Sequence, residues 1–408
     1  MTENLSYKQA LKIVEEKLAT AKLKLHREVV PLAEAQGRVL AEDVAADRDY
    51  PPFHRSLRDG FAVRAEDVAS APARLRSVGE IPAGGHFTGA LKRGECVSIM
   101  TGAPLPAGAD AVVMVEYTET HDGAVNIDRG VRSGENVVQQ GSETRAGAIV
   151  LRRGKRLGAA ELGLLATVGE SQVPVFARPV AAILPTGDEV VPVEQCPEWF
   201  QIRNSNAVSL SAQVAAAGGV PRCLGIAPDQ PDALRTLIQE GLDADLLLLS
   251  GGVSAGKYDF VEQVLADLGA EFYFQSVALR PGKPLVFGRT AGTFFFGLPG
   301  NPVSTYVTFA LFARPALAVL GGADFAAPVF LRARLDKPFQ QRTGLTMFLP
   351  AGLDNTSGDP TVSLVGWQGS GDLVGLAAAT CFVVVHSHQA SLAAGDWVDV
   401  MVKESVGL

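Results

Sequence analysis

Hydrophobic and polar positions divide this chain into stretches with different grammar. The segment "MTENLSYKQALKIVEEKL" sets apolar residues at helical spacing among lysines and glutamates, which predicts an amphipathic helix over about residues 7–21. "HREVVPLAEAQGRVLAEDV" reads as short strands with a short helix. From "DYPPFHRSLRDGFAVR" to about Ala146 the pattern becomes strands and turns ("FAVRA", "ECVSIM", "ADAVVMVEYTE"), punctuated by glycine and proline as in a small β-rich domain. "GAIVLRRGKRLGAAELGLLATVGESQVPVFARP" returns to strand–helix–strand and is expected to pack on the N-terminal helix. That makes a discontinuous first domain of residues 1–46 with 147–178, around an inserted β-rich domain of residues 47–146.

Strands and helices alternate from about Val180. "VAAILPTGDEV" is a buried strand ending in a Thr-Gly-acid loop, and "NSNAVSLSAQVAAAGG" is a helix capped by Ser205 or Asn206. "ADLLLLSGG" is a strand of leucines buried on both faces. "PRCLGIAPD", "AEFYFQSVAL", "PLVFG" and "GTFFFGLPG" add strands, "QPDALRTLIQEGL" and "YDFVEQVLADLG" add helices, and "NPVSTYVTFALFARPALAVL" closes the unit as a long helix. The alternation implies an α/β domain over residues 179–325 with a mostly parallel sheet. Residues 326–408 carry only short strands ("VFLRARL", "MFLPAGL", "TVSLVGW", "CFVVVHS", "DWVDVMV") and are expected to form a β-barrel or sandwich. The fold class is therefore multidomain α/β plus β.

The chain has 408 residues, 47% of them apolar and 20% charged, which suits several soluble domains better than one core. A net charge of −8 argues against general nucleic-acid binding, yet leaves room for a small anion held by local cations and amides. Four scattered cysteines without a C-x-x-C pair argue against a disulfide framework or a zinc site and point to a reducing cytoplasm. No signal peptide is apparent, and no apolar run reaches the roughly 18 residues of a membrane span.

Candidate chemistry collects at three strand ends, where ligands sit in open α/β sheets. "PTGDEV" supplies Thr186, Gly187, Asp188 and Glu189; "SGGVSAGKYD" supplies Ser250, Gly251, Gly252, Ser254 and Asp259; "GLPGNPVS" supplies Gly300 and Asn301 at a helix start. Free amides with glycines that admit a ligand make an anion site. Carboxylates in the same crevice make sense when a divalent cation, Mg²⁺ by its usual role, bridges them to phosphate. Each loop taken singly also reads as a turn, and Asp259 as a helix cap. "LRPGKPLVFG" offers Arg280 and Lys283 as an oxyanion clamp or as solvated turn charges. By spacing alone Asp59 reads as a turn aspartate and Thr101 as a buried threonine. His386 and His388, without a third ligand nearby, read as an exposed edge.

The series "FHRSLRDGFAVRA", "SIMTGAPLPAGADAVV", "IRNSN", "LSGGVSAGKYDF", "LRPGKPLVFG", "GLPGNPVS" and "GWQGSGDL", in this order over nearly the whole chain, resembles the molybdopterin molybdenumtransferases. These are the molybdenum-inserting enzymes of cofactor biosynthesis related to the E domain of gephyrin. The resemblance implies a homodimer of four-domain subunits. Its active site lies between the α/β domain of one subunit and the inserted domain of the other. Adenylated molybdopterin and molybdate react there, with a divalent metal and release of AMP. It implies a catalytic set of Asp59, Thr101, Glu189, Asp229, Asp259 and Lys283, with Asp259 and Glu189 or Asp229 as metal ligands. Substrate binding falls to Ser250, Gly251, Gly252, Ser254, Arg280, Gly300, Asn301 and Ser370. Molybdopterin adenylyltransferase and recipient apoproteins are implied as partners.

The chain departs from the family pattern in three places: Ser276 where a lysine is frequent, Pro350 where an arginine tends to stand, and the stretch Arg55, Ser56, Leu57 and Arg58 before Asp59. They leave tungstate open as an alternative oxyanion. Alternative functions are a molybdopterin adenylyltransferase and a non-catalytic dimeric scaffold.

Overall fold

A computed structural model of the chain describes residues 5–253, 260–341, 344–356 and 358–403. Expectations on Ser254 and Asp259 lie outside these residues. The central unit is a six-stranded sheet in the order Val220–Cys223, Val180–Pro185, Leu246–Ser250, Thr293–Leu298, Pro284–Thr290, Glu271–Ser276. Its first four strands are parallel; Pro284–Thr290 runs antiparallel to both of its neighbours, so Glu271–Ser276 points the same way as the first four and the sheet is mixed at one edge.

The leucine strand works as its period of two requires: Leu246 and Leu248 face one core with Ala181, Ile183, Phe294 and Phe296. Leu247 and Leu249 face a second core with Ala182, Leu184 and Phe295. Helices cover both faces. Pro302–Leu320 is long and apolar enough to cross a membrane, but 67% of it is buried inside the protein, where Val303, Val307, Leu311 and Phe312 join the first core.

The N-terminal helix forms at Tyr7–Thr20, opened by a reciprocal capping box between Ser6 and Gln9. It does not pack on residues 147–178 as expected. Its buried stripe (Tyr7, Ala10, Leu11, Val14, Leu18) enters the core of the α/β unit, with Tyr7 edge-on to Phe312 and Phe348 at 5.8 and 6.0 Å. The physical reason is that residues 147–178 already fill their own core: Leu157, Leu165, Val173 and Val175 close on Val30, Leu40 and Val44.

Short ladders frame the inserted part. Arg27–Pro31 pairs with Gln172–Phe176, and Val44–Ala45 with Ile149–Leu151. Between them lies a second six-stranded sheet, in the order Ala111–Met114, Gly60–Val63, Glu95–Ile99, Ala73–Ile81, Ala124–Ile127, Thr118–His121. At the C-terminal end five strands close into a barrel. Thr346–Asp354 pairs with both Thr361–Leu364 and Cys381–Val385, while Leu331–Leu335 and Trp397–Val402 complete the ring. Leu279–Arg280 of the α/β unit pairs with Thr346 and Met347, which joins the barrel to the central sheet.

Candidate active site

Three parallel strands end level with one another: Ser250 lies opposite Pro185 on one side and Leu298 on the other. The chain therefore leaves all three through adjacent loops. The open cleft above them, about 730 Å³, is lined by Thr186, Gly187, Glu189, Asn206, Asp229, Ser250, Gly251, Gly252, Gly300 and Asn301 among others. Glu189, Asp229 and the glycine-loop residues expected from sequence thus come together.

Backbone geometry decides which amides can meet an anion. Gly251 (φ +100°) lies so close to Thr186 that a Cβ would stand 2.8 Å from its carbonyl oxygen. Its N–H donates to the Leu298 carbonyl at 3.1 Å, so the expectation that it receives phosphate is corrected: strand pairing has already used it. The amides of Gly252, Gly300 and Asn301 have no acceptor among the described residues. The helix start beyond them is partly sealed, since Pro302 has no N–H and Val303 donates to the Ser370 carbonyl at 3.0 Å. Ser370 also takes a 3.0 Å bond from Asn301 Nδ2 at its hydroxyl, which brings the barrel domain to the rim of the cleft.

The helix Ser205–Ala216 is capped by Asn204, whose side chain accepts from the Ala207 amide at 3.0 Å, and not by Ser205 or Asn206. Three adjacent residues could each cap, and sequence does not select between them. Released from that role, Asn206 crosses the cleft floor: its Nδ2 donates to Ser250 Oγ at 2.8 Å and to the Gly300 carbonyl at 2.7 Å. Two buried oxygens beside it, Asn206 Oδ1 and Thr186 Oγ1, have no partner among the described residues.

On the acidic wall, the Asp229 amide donates to Asp188 Oδ1 at 3.0 Å and ties the two carboxylate loops together. The Glu189 carboxylate folds over Gly187, where a Cβ would come within 2.5 Å of Oε2. Oxygen-only donors from Glu189 and Asp229 fit a hard cation of the Mg²⁺ kind, which takes one or two carboxylates and completes its shell with water and phosphate. No group of three metal-ligating side chains occurs among the described residues. His386 instead pairs with Asp399 at 2.8 Å and stacks on the exposed His388.

Arg280 and Lys283 are exposed and flank the cleft-lining Pro284, but do not themselves line the cleft. Asp59 and Thr101 form a separate pair on the inserted sheet, where one carboxylate oxygen accepts from the Thr101 amide at 2.6 Å and its hydroxyl at 2.9 Å. Thr101 is exposed, not buried as spacing suggested. Ahead of Asp59, buried Ser56 donates to the Arg58 carbonyl at 2.5 Å, and Arg55 pairs with Glu143 at 3.1 Å. Pro350 is buried in a barrel strand opposite Phe382.

Family models match in three consecutive blocks: the MoeA N-terminal region (domains I and II) over residues 5–169, a probable molybdopterin binding domain over 182–319, and the MoeA C-terminal region (domain IV) over 332–403. A molybdopterin molybdenumtransferase of Bacillus subtilis is 35% identical over 384 residues, covering 92% of this chain and 89% of its own. One from Nostoc is 42% identical over 316 residues, covering 75% of this chain and 72% of its own. The crystal structure of a molybdopterin biosynthesis MoeA protein from Pyrococcus horikoshii superposes with a TM-score of 0.80 at 27% identity, over 98% of this chain and all of that one.

Proposed function

The chain belongs to the molybdopterin molybdenumtransferases, a family of molybdenum cofactor biosynthesis, and from that premise we propose that it inserts molybdate into adenylated molybdopterin with release of AMP. The observation that carries this reading is the cleft itself. It brings the Gly252, Gly300 and Asn301 amides and the Ser250 hydroxyl into one lining with Glu189 and Asp229.

In this reading the amides and Ser250 hold the phosphoryl oxygens of the pyrophosphate-like bridge, and their fixed dipoles stabilise the charge that builds as the bond to AMP opens. Glu189 and Asp229, with Asp259, hold the divalent cation, which when bound neutralises phosphate charge. Ser370, at the barrel rim of the cleft, and the exposed Arg280 and Lys283, which flank the cleft-lining Pro284, receive the oxyanion.

The active site lies between two copies of the chain. Asp59 and Thr101 do not line the cleft, and the surface around them exposes Leu57, Met100 and Val115. The chain near the cleft likewise exposes Trp199 (95%) and Phe200. Apolar surfaces of this kind favour association, and docking one against the other brings Asp59 and Thr101 of a second copy to the substrate. Four free cysteines, two of them exposed, support a reducing cytoplasm as the compartment. Molybdopterin adenylyltransferase supplies the substrate and molybdoenzyme apoproteins take the product.

The test is AMP release from adenylated molybdopterin with Mg²⁺, in the presence and absence of molybdate or tungstate. The expected result is molybdate-dependent release, with a product that activates a molybdenum-free apoenzyme. Glu189→Gln is expected to slow release by about a hundredfold. Tungstate-dependent release alone would reassign the oxyanion. No release in any arm would favour the scaffold.

A further inference from the structure

The geometry points to Asn206 as the residue that aims the donors of the cleft, a role that rests on the proposed phosphate-binding reading and deepens it. The Gly300 carbonyl can only accept, so it fixes the Asn206 amide with Nδ2 toward it. The second hydrogen on Nδ2 then goes to Ser250 Oγ. Ser250 is thereby an acceptor in that bond, and its own hydrogen has no acceptor among the described residues. A hydroxyl at the end of a buried strand, 2% exposed yet lining the cleft, is left with its proton for a ligand oxygen.

The same amide sets the Gly300–Asn301 peptide. In a trans peptide C=O and N–H point opposite ways, so holding the carbonyl turns the Asn301 N–H away from Asn206, where it has no acceptor among the described residues. One side chain on the helix Ser205–Ala216 thus orients two donors on two other loops. It does so while its own buried Oδ1 has no partner among the described residues, which a side chain kept only for stability has no reason to tolerate. Asn206 acts through Ser250 and Asn301 and is a positioning residue.

The test measures dissociation constants of inorganic pyrophosphate and of adenylated molybdopterin by titration calorimetry. The proteins are wild type, Asn206→Ala, Asn206→Asp, Ser250→Ala and the Asn206→Ala/Ser250→Ala double variant, each with its melting temperature. Asn206→Ala and Ser250→Ala are each expected to weaken pyrophosphate binding roughly ten- to hundredfold. The double variant should fall short of the product of the two losses by about tenfold, because both remove one donor. Asn206→Asp keeps the side-chain size but accepts the Ser250 proton, and is expected to bind more weakly than Asn206→Ala.

Losses that multiply, or wild-type affinity in Asn206→Ala, would overturn the inference. So would a wild type that binds neither probe. Coupled losses with pyrophosphate, in a protein that ignores adenylated molybdopterin, would sustain the role of Asn206 and remove the proposed substrate.

Discussion

Asp59 is an exposed carboxylate held below the ordinary carboxylate range, first by the Thr101 amide and second by the Thr101 hydroxyl. Thr101→Val removes the lesser bond and keeps the greater. The Asp59 titration, followed by carboxyl NMR, is therefore expected to move part of the way toward about 3.9 and stop short of it. A complete return to that value would show that the amide bond is not the main cause. The sign for stability follows from a depressed folded pKa. The contribution of the pair is fully present above the unfolded carboxyl value and is lost as pH falls through the folded one, so neutral pH lies on the plateau. Little of this was legible in the chain. The partners are 42 positions apart, and spacing alone gave a turn aspartate and a buried threonine. Asn206 was hidden for another reason: it stands among residues that all suit a helix cap, and only the observed start at Ser205 frees it.

At the scale of elements, what period and punctuation encode came through well. The leucine strand divides between two cores, and three glycine-bearing loops meet at one sheet edge because their strands end in register. Gly251 marks where a loop must touch the protein backbone. Gly251→Ala meets both a positive φ and the Thr186 carbonyl, and is expected to destabilise by about 1–3 kcal/mol with loss of phosphate binding. Gly94→Ala, at φ +75° but in open space, is the control and should cost about 1 kcal/mol or less without touching binding. Denaturant unfolding and pyrophosphate titration check both, and equal costs would mean that Thr186 yields to the added methyl. Long-range choices were less legible. Whether the C-terminal strands stack or close depends on Thr346–Asp354 pairing on both edges, and amphipathicity told the first helix to bury a stripe without saying against what.

At the scale of the molecule, a chain of net charge −8 is proposed to bind a phosphate ester and an oxyanion, and that proposal places the attraction in local amides and in a divalent cation that Glu189 would hold. The resemblance carried by the motifs gave the family directly, and the matches along the chain agree with it. Asp59 and Thr101 remain the test of the whole, because their sheet does not line the cleft that holds Glu189. The most direct measurement mixes Asp59→Ala and Glu189→Ala chains, unfolds and refolds them together, and assays molybdate-dependent AMP release. Each variant alone is expected to be inactive. Random pairing makes about half of the dimers mixed, each with one intact site of two, so about a quarter of wild-type activity should return. A mixture as inactive as its parents would place the whole site within one chain and contradict the account.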